Sequence, residues 1–294
     1  IIIPRGCYDE LISQLSCAGV RYNVVDKRQK GRKIDVHFNG VLYPEQQVAA
    51  EKMLYNDIGV LAAATAFGKT VLGAYLIAQK KVNALVLVHN VEIMNNWIKD
   101  LNSFLTINEE LPTYTTPKGR VKKRSSLIGT FSSQKDATTG IIDIAMITSL
   151  GREDNINELV CNYGMVIVDE CHHAAAVTHE NVLRAVTARY IFGMSATINR
   201  GDKQDKKMFM QLGPIRHRYT AKERAQKQGI GHYIYPRFTR LVDLNQSEDR
   251  NPADYYRLIM QSELRNMQIV SGQGDILVFH QVEKQFIFLR SQIH

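Results

Sequence analysis

The run Ala63-Ala64-Thr65-Ala66-Phe67-Gly68-Lys69-Thr70 has the residue types that bind a phosphate. Glycine lets the chain turn so that successive N–H groups converge on an anion, and a helix starting at Lys69 adds the positive end of its dipole. Lys69 would meet the β- and γ-phosphates of a nucleotide, and the Thr70 hydroxyl would hold Mg²⁺. Ala64, Thr65, Ala66, Phe67 and Gly68 would form the cradle, with Ala63 standing where G-x-x-x-x-G-K-[ST] has its first glycine. A second run, Val166-Ile167-Val168-Asp169-Glu170-Cys171-His172-His173, puts two carboxylates at the mouth of an apolar strand. Such charges are costly unless something cationic compensates. Asp169 would then hold Mg²⁺, and Glu170 would orient and deprotonate an attacking water. Cys171, His172, His173 and His179 offer a competing metal site. Against it, adjacent residues of an extended segment point to opposite faces, and no C-x-x-C pair is present. A third run, Gly193-Met194-Ser195-Ala196-Thr197, brings small hydroxyl residues to the end of another apolar strand.

These runs need a sheet to bring them together. Ile58–Ala63, Ala84–Val88, Ile144–Ile147, Met165–Val168 and Tyr190–Met194 read as buried strands, short and continuously apolar. Helices alternate with them, from Lys69 to Gln79 and through Met94, Trp97, Ile98, Leu101 and Phe104 at helical spacing. In that helix Trp97 is expected in the core. Continuous apolar strands alternating with helices predict an α/β fold with a parallel sheet covered on both faces. Ligands bind such sheets at the C-terminal strand ends, where all three polar runs fall. Residues 1–40 read as a small accessory element: Leu11, Ile12 and Leu15 share a helical face, and Gly19 is placed to end that helix. Val24-Val25 and Ile34-Asp35-Val36 suggest two short strands around a basic turn. Residues 41–212 form the main lobe. Residues 213–250, punctuated by Gly213-Pro214, Gly229, Gly231 and Pro236, read as a junction. Residues 251–294 start a second unit, with a strand at Ile276–Phe279 and a helix presenting Val282, Phe286, Leu289 and Ile293.

The 294 residues are 45% hydrophobic and 22% charged, which excludes a disordered chain. No apolar run approaches the roughly 20 residues that span a bilayer. The opening Ile1-Ile2-Ile3 is too short for a signal segment, and the absence of an initiator Met suggests a piece of a longer chain. The four cysteines lack disulfide-scaffold spacing, so an intracellular setting is expected. The net charge of +8 is concentrated in two segments. Residues 111–135 hold Lys118, Arg120, Lys122, Lys123, Arg124 and Lys135 with no acid; residues 201–240 hold ten Lys and Arg against three acids. The remainder is mildly acidic. Solvated loops or the track of an anionic partner both account for such runs, and the Lys118–Arg124 stretch reads as a loop.

Together A-T-A-F-G-K-T, D-E-C-H-H and S-A-T, in that order, resemble motifs I, II and III of superfamily 2 helicases. The variant resembles the xeroderma-pigmentosum-group-B-like group and the motor subunits of type III restriction enzymes. The Ile3-Pro4-Arg5-Gly6 opening and Gly140–Ile147 are similar to bacterial DEAD/DEAH-type helicases found with primase domains in conflict systems. The resemblance implies a RecA-like first helicase lobe, the start of a second RecA-like lobe, and ATP with Mg²⁺. It implies nucleic acid as partner, DNA ahead of RNA, with primase or nuclease domains or subunits as further partners, and a cytoplasmic, bacterial setting. It further implies that Gln46, in Leu42-Tyr43-Pro44-Glu45-Gln46, reads the adenine edge, with Tyr43 where Arg is common. His89 and Asn90 would be motif Ia and Thr148 and Ser149 motif Ib, both lining the nucleic-acid path. Asn90 replaces a frequent Arg. Ser195 and Thr197 would couple the two sites. Motifs V and VI, with the arginine finger, have no counterpart here. The activity so implied is ATP-dependent unwinding or translocation; the alternative is an ATP-responsive clamp or switch subunit of a restriction-like complex.

Overall fold

The computed structural model describes residues 3–116, 119–152, 155–175, 177–196, 203–227, 232–234, 259–263, 265–267, 277–282 and 285–291. It divides into two compact units, Ile1–Thr220 and Ala221–His294. The first unit opens with α1 (Tyr8–Cys17), β1 (Val36–Phe38) and α2 (Pro44–Leu54). The site-bearing stretch comes next: β2 (Ile58–Ala63), α3 (Lys69–Lys80), β3 (Ala84–Val88) and α4 (Val91–Phe104). Then come β4 (Leu105–Ile107), β5 (Thr113–Thr115), β6 (Val121–Lys123), β7 (Ile128–Ser132) and β8 (Lys135–Asp136). After them are β9 (Ile142–Met146), α5 (Ile147–Leu150), and a short pair, β10 (Gly151–Arg152) and β11 (Asn155–Ile156). The unit closes with β12 (Met165–Asp169), α6 (Val177–Ala185), β13 (Tyr190–Ser195), α7 (Lys203–Leu212) and β14 (Ile215–Tyr219).

One sheet runs in the order β14-β2-β13-β12-β3-β9-β7-β8, parallel except for β8. Strand side chains alternate between faces, so each apolar strand feeds two cores. Leu61, Ala63, Val86, Val88, Ile167 and Phe192 pack with Leu72, Leu76, Trp97 and Leu101 on one face. Val60, Ala62, Leu85, Leu87, Val166 and Val168 pack with Val182, Leu183, Met208 and Leu212 on the other. The continuous apolar runs are therefore a consequence of being covered twice.

The leading element has no core of its own and is pinned to α6 and α7. Helix α1 buries none of its residues. It ends as expected at Gly19, with the Val20 N–H returning to Leu15 O at 3.0 Å. The Arg5 guanidinium donates to Leu183 O at 3.0 Å and to Val186 O at 2.6 Å, satisfying carbonyls at the end of α6. Gly6 lies so close to α7 that a Cβ there would sit 1.9 Å from Phe209 O.

Four expectations need correction. Val24 and Val25 form no strand and are exposed. Ile34 and Val36 bury into the α3–α4 core, which draws β1 to antiparallel pairing with β4 instead. The Lys118–Arg124 stretch is not simply a loop, because β5 and β6 make an antiparallel hairpin. Arg124 braces it, its guanidinium 4.3 Å over the Tyr114 ring and donating to Asp136 O at 3.3 Å. Residues 213–220, expected within a junction, include β14, an edge strand of the main sheet.

The fourth lies in the second unit, which contains α8 (Ala221–Lys227), β15 (His232–Ile234), β16 (Leu277–Val282) and β17 (Gln285–Ser291). The expected helix after the strand is β17, antiparallel to both β16 and β15. Phe286-Ile287-Phe288-Leu289 is an aromatic and β-branched run that favours a strand, although its spacing also fits a helical face. Among the described residues no helix is long and apolar enough to cross a membrane.

Candidate active site

The sheet places β2, β13, β12 and β3 side by side, and the chain crosses over β13 and β12 in passing from β2 to β3. This is a topological switch point, and the polar runs gather at its carboxyl edge. Ala63, at the first-glycine position, is simply the buried last residue of β2. The loop after it is preshaped. Ala66 and Gly68 adopt positive φ of 62° and 84°, and α3 starts at Lys69. The Ala64 N–H donates to Tyr219 O at 3.0 Å, and the Phe67 ring packs 5.0 Å from Tyr219. Gln46 is 3% exposed and serves as a brace. Its Oε1 accepts from the Tyr43 N–H at 2.9 Å, and its Nε2 donates to Phe67 O at 2.8 Å. Gly68 is favoured by its positive φ, and a Cβ there would lie 2.5 Å from that Nε2 and displace the Gln46 brace.

Lys69 Nζ lies 3.4 Å from Glu170 Oε1. Glu170 holds φ at 46°, a conformation non-glycine residues adopt at some cost, and this aims its carboxylate into the site. Its Oε2 lies 3.2 Å from His172 Nδ1 and accepts from Ser195 Oγ at 3.3 Å. His172 Nδ1 and Ser195 Oγ are themselves 2.8 Å apart. Burial alone would raise the Glu170 pKa; the His172 hydrogen bond and the charges of Lys69 and His172 outweigh it and bring it down to about 2.

Asp169 behaves in the opposite way. It is 9% exposed, and burial raises its pKa, with the Glu170 charge adding to the effect. Trp97 Nε1 donates to Asp169 Oδ2 at 2.7 Å, and the Glu170 N–H donates to Oδ1 at 2.9 Å. Trp97 is in the core as expected, with 0% exposure, yet it also holds a carboxylate, which its helical spacing did not signal. Thr70 Oγ1 donates to Asp100 Oδ2 at 2.5 Å. Trp97 and Asp100 are three apart on α4 and so share a face, which tethers this helix to both expected Mg²⁺ ligands. Trp97→Phe keeps most of the ring burial but leaves a buried carboxylate oxygen without its donor. Its expected cost is about 1–3 kcal/mol in thermal or urea unfolding. Unfolding indistinguishable from the parent would show that the bond contributes nothing.

The other expected residues sit along the same edge. His89 and Asn90 come directly after β3. Asn90 Oδ1 caps α4 by accepting from the Ile93 N–H at 2.8 Å, and its Nδ2 lies 3.2 Å from His89 Nε2. Thr148, exposed, and Ser149, half-buried, lie on α5 just after β9. Thr197 lies outside the described residues. The segment Cys171–Ala175 is a 3-10 helix and not extended, so His172 and His173 do not point apart; their rings lie 4.1 Å from one another. Among the described residues no three His, Cys, Asp or Glu side chains are placed to hold a metal ion.

A parallel sheet with a phosphate-type loop and paired carboxylates at its switch point is the architecture of a RecA-like lobe, and the first unit of this chain is such a lobe of the superfamily 2 type. Residues 39–200 match the family described as "Type III restriction enzyme, res subunit", and the chain belongs to that family. Membership implies ATP use. The chain is 22% identical over 182 residues to the DNA 3′-5′ translocase XPB2 of Sulfurisphaera tokodaii, covering 62% of this chain and 36% of that protein. It is 24% identical over 186 residues to the DNA 3′-5′ helicase XPB of Mycobacterium tuberculosis, covering 63% of this chain and 32% of that protein. The chain thus spans about a third of the length of these two relatives. Its fold is similar to the crystal structure of the UvsW helicase from Bacteriophage T4, with TM-score 0.50 at 13% identity over 72% of this chain and 78% of that one.

Proposed function

We propose that this lobe hydrolyses ATP to drive a nucleic-acid helicase or translocase, with DNA as the favoured track. The observation that carries the reading is Glu170, strained to φ 46° and held ionised between Lys69, His172 and Ser195. A carboxylate so placed is positioned to orient water and take its proton. Asp169 and Thr70 offer the hard oxygen donors that Mg²⁺ prefers, and a carboxyl whose ionised form is penalised by burial fits a cation. Bound there, Mg²⁺ would neutralise charge developing on the phosphates. Thr70 would exchange its bond to Asp100 for that role, while Lys69 would leave Glu170 for the phosphates. Relatives carry both nucleic acids in their names, a DNA translocase and a DNA helicase but also a putative ATP-dependent RNA helicase from Acanthamoeba polyphaga mimivirus, so the strand comparison below decides between DNA and RNA. Primase or nuclease modules are its expected partners, in a bacterial cytoplasm.

The test is phosphate release by the complete protein across single- and double-stranded DNA and RNA. Stimulation by one of these is expected. Binding of ATP and strand without phosphate release would favour the clamp reading.

The basic hairpin belongs to the same reading. Arg120, Lys122 and Lys123 are exposed, whereas Arg124 is occupied by Tyr114 and Asp136. Replacing Lys122 and Lys123 with Ala should therefore flatten the dependence of log affinity on log salt by about 1–2 in slope. Arg124→Ala should act through the fold of the hairpin. An unchanged slope in the lysine variant would return the segment to a solvated surface.

A further inference from the structure

His172 touches the general base on one side and a second imidazole on the other. Its ring lies 4.1 Å from His173, centroid to centroid, with planes inclined by 42°. His173 in turn lies 4.8 Å from His89, inclined by 51°. His89 Nε2 meets Asn90 Nδ2 at 3.2 Å, and Asn90 caps α4. Contact is thus continuous from Glu170 and Ser195, across the ends of β12 and β3, to the head of α4. The same helix returns to the nucleotide side twice, through Trp97 to Asp169 and through Asp100 to Thr70. The contacts form a closed circuit that joins Thr70, Asp169 and Glu170 to α4 at both its middle and its head. The His173 backbone is itself fixed, because its carbonyl lies 2.9 Å from His179 Nδ1 on α6.

We propose that His173 is a positioning residue whose ring, exposed to solvent but in contact with both His172 and His89, couples nucleotide occupancy to the nucleic-acid-facing end of α4. The proposal rests on the reading of the chain as a nucleic-acid motor lobe. It needs a ring at position 173 that touches both neighbouring imidazoles, and no particular protonation state. Coupling of this kind is a free energy between two binding events and is reciprocal. A demonstrated effect on both events, not the path alone, is what supports it.

The experiment measures, in the complete protein, affinity for a labelled DNA strand with and without a non-hydrolysable ATP analogue and Mg²⁺. The ratio of the two affinities is the coupling factor, commonly about 5–150-fold between linked sites. His173→Ala is expected to bring that ratio close to one. It should leave the affinity for nucleotide alone and for strand alone within about twofold, since the His173 ring lies against His172 and His89, neither of them an expected phosphate or Mg²⁺ ligand. His173→Phe, which keeps a ring in the stack, should retain the coupling. The proposal is overturned if His173→Ala keeps the wild-type ratio, if His173→Phe loses it equally, or if His173→Ala loses strand affinity without nucleotide. That last outcome would make His173 a direct contact. A wild-type protein that binds no strand would instead remove the motor reading.

Discussion

Replacing Glu170 with Gln is expected to lower ATP turnover by about 10²–10⁴-fold, the usual contribution of a positioned general base. The substitution is nearly isosteric, and an amide oxygen can still accept from Ser195 and His172, so the loss would lie in chemistry and not in folding. ATP affinity should rise at the same time. The Lys69 ammonium is held at 3.4 Å by Glu170, and phosphates must win it from that carboxylate. A neutral amide lets Lys69 go. Rate and affinity should therefore move in opposite directions, a pattern that general destabilisation would not produce. The pH profile adds an independent check. With its pKa lowered to about 2, Glu170 stays ionised far below the ordinary carboxylate range, so the acid limb of kcat/KM owes nothing to it above about pH 4. Turnover of Glu170→Gln equal to the parent would remove Glu170 from the mechanism.

Much of this site could be read in advance because it tracks the chain locally. Strand, turn and helix around Lys69 are contiguous, and the strands ending at Asp169 and Ser195 are short apolar runs that only a doubly covered sheet explains. That the polar runs share one edge follows from strands that all run parallel, whereas their order along it, with the run after β13 between those after β2 and β12, does not follow the chain. The supports were less accessible. Trp97 reaches Asp169 across 72 residues and Thr70 meets Asp100 across 30, and neither pair has a local pattern. A tryptophan on the apolar face of a helix reads as core, and Trp97 is core; only its indole N–H says more. The histidines misled for a different reason. Treating Cys171–Ala175 as extended sent His172 and His173 to opposite faces, whereas one 3-10 turn sets them side by side. In β17 the sequence satisfies helical and strand spacing at once, and the pairing partner that decides between them lies elsewhere in the chain. The short strands of the basic hairpin carry almost no apolar signal and are recognised by their pairing alone.

Lys69→Ala should weaken ATP binding by about 10–100-fold, the equivalent of the roughly 1.5–3 kcal/mol that a charged hydrogen-bond partner contributes. The loss in wild type understates what Lys69 contributes, because part of its interaction with phosphate replaces the ion pair with Glu170. In a Glu170→Gln background that competitor is gone, and the same Lys69→Ala change should cost more. The two substitutions are therefore expected to be non-additive in ATP affinity, with an interaction energy of about 0.5–3 kcal/mol, as for residues in contact. Stability gives the complementary sign. A carboxylate whose pKa is depressed in the folded state stabilises the fold above its unfolded pKa of about 4.3, and that contribution fades as pH falls towards the folded value. Lys69 is one of the groups that depress Glu170, so Lys69→Ala should raise the Glu170 pKa and make unfolding less sensitive to pH between about 4.3 and 2. Calorimetry across that range together with nucleotide titration of the four proteins would test both. Strictly additive affinities with an unaltered pH slope would mean that the Lys69–Glu170 contact has no energetic weight, and that the phosphate loop does not have to break it to bind ATP.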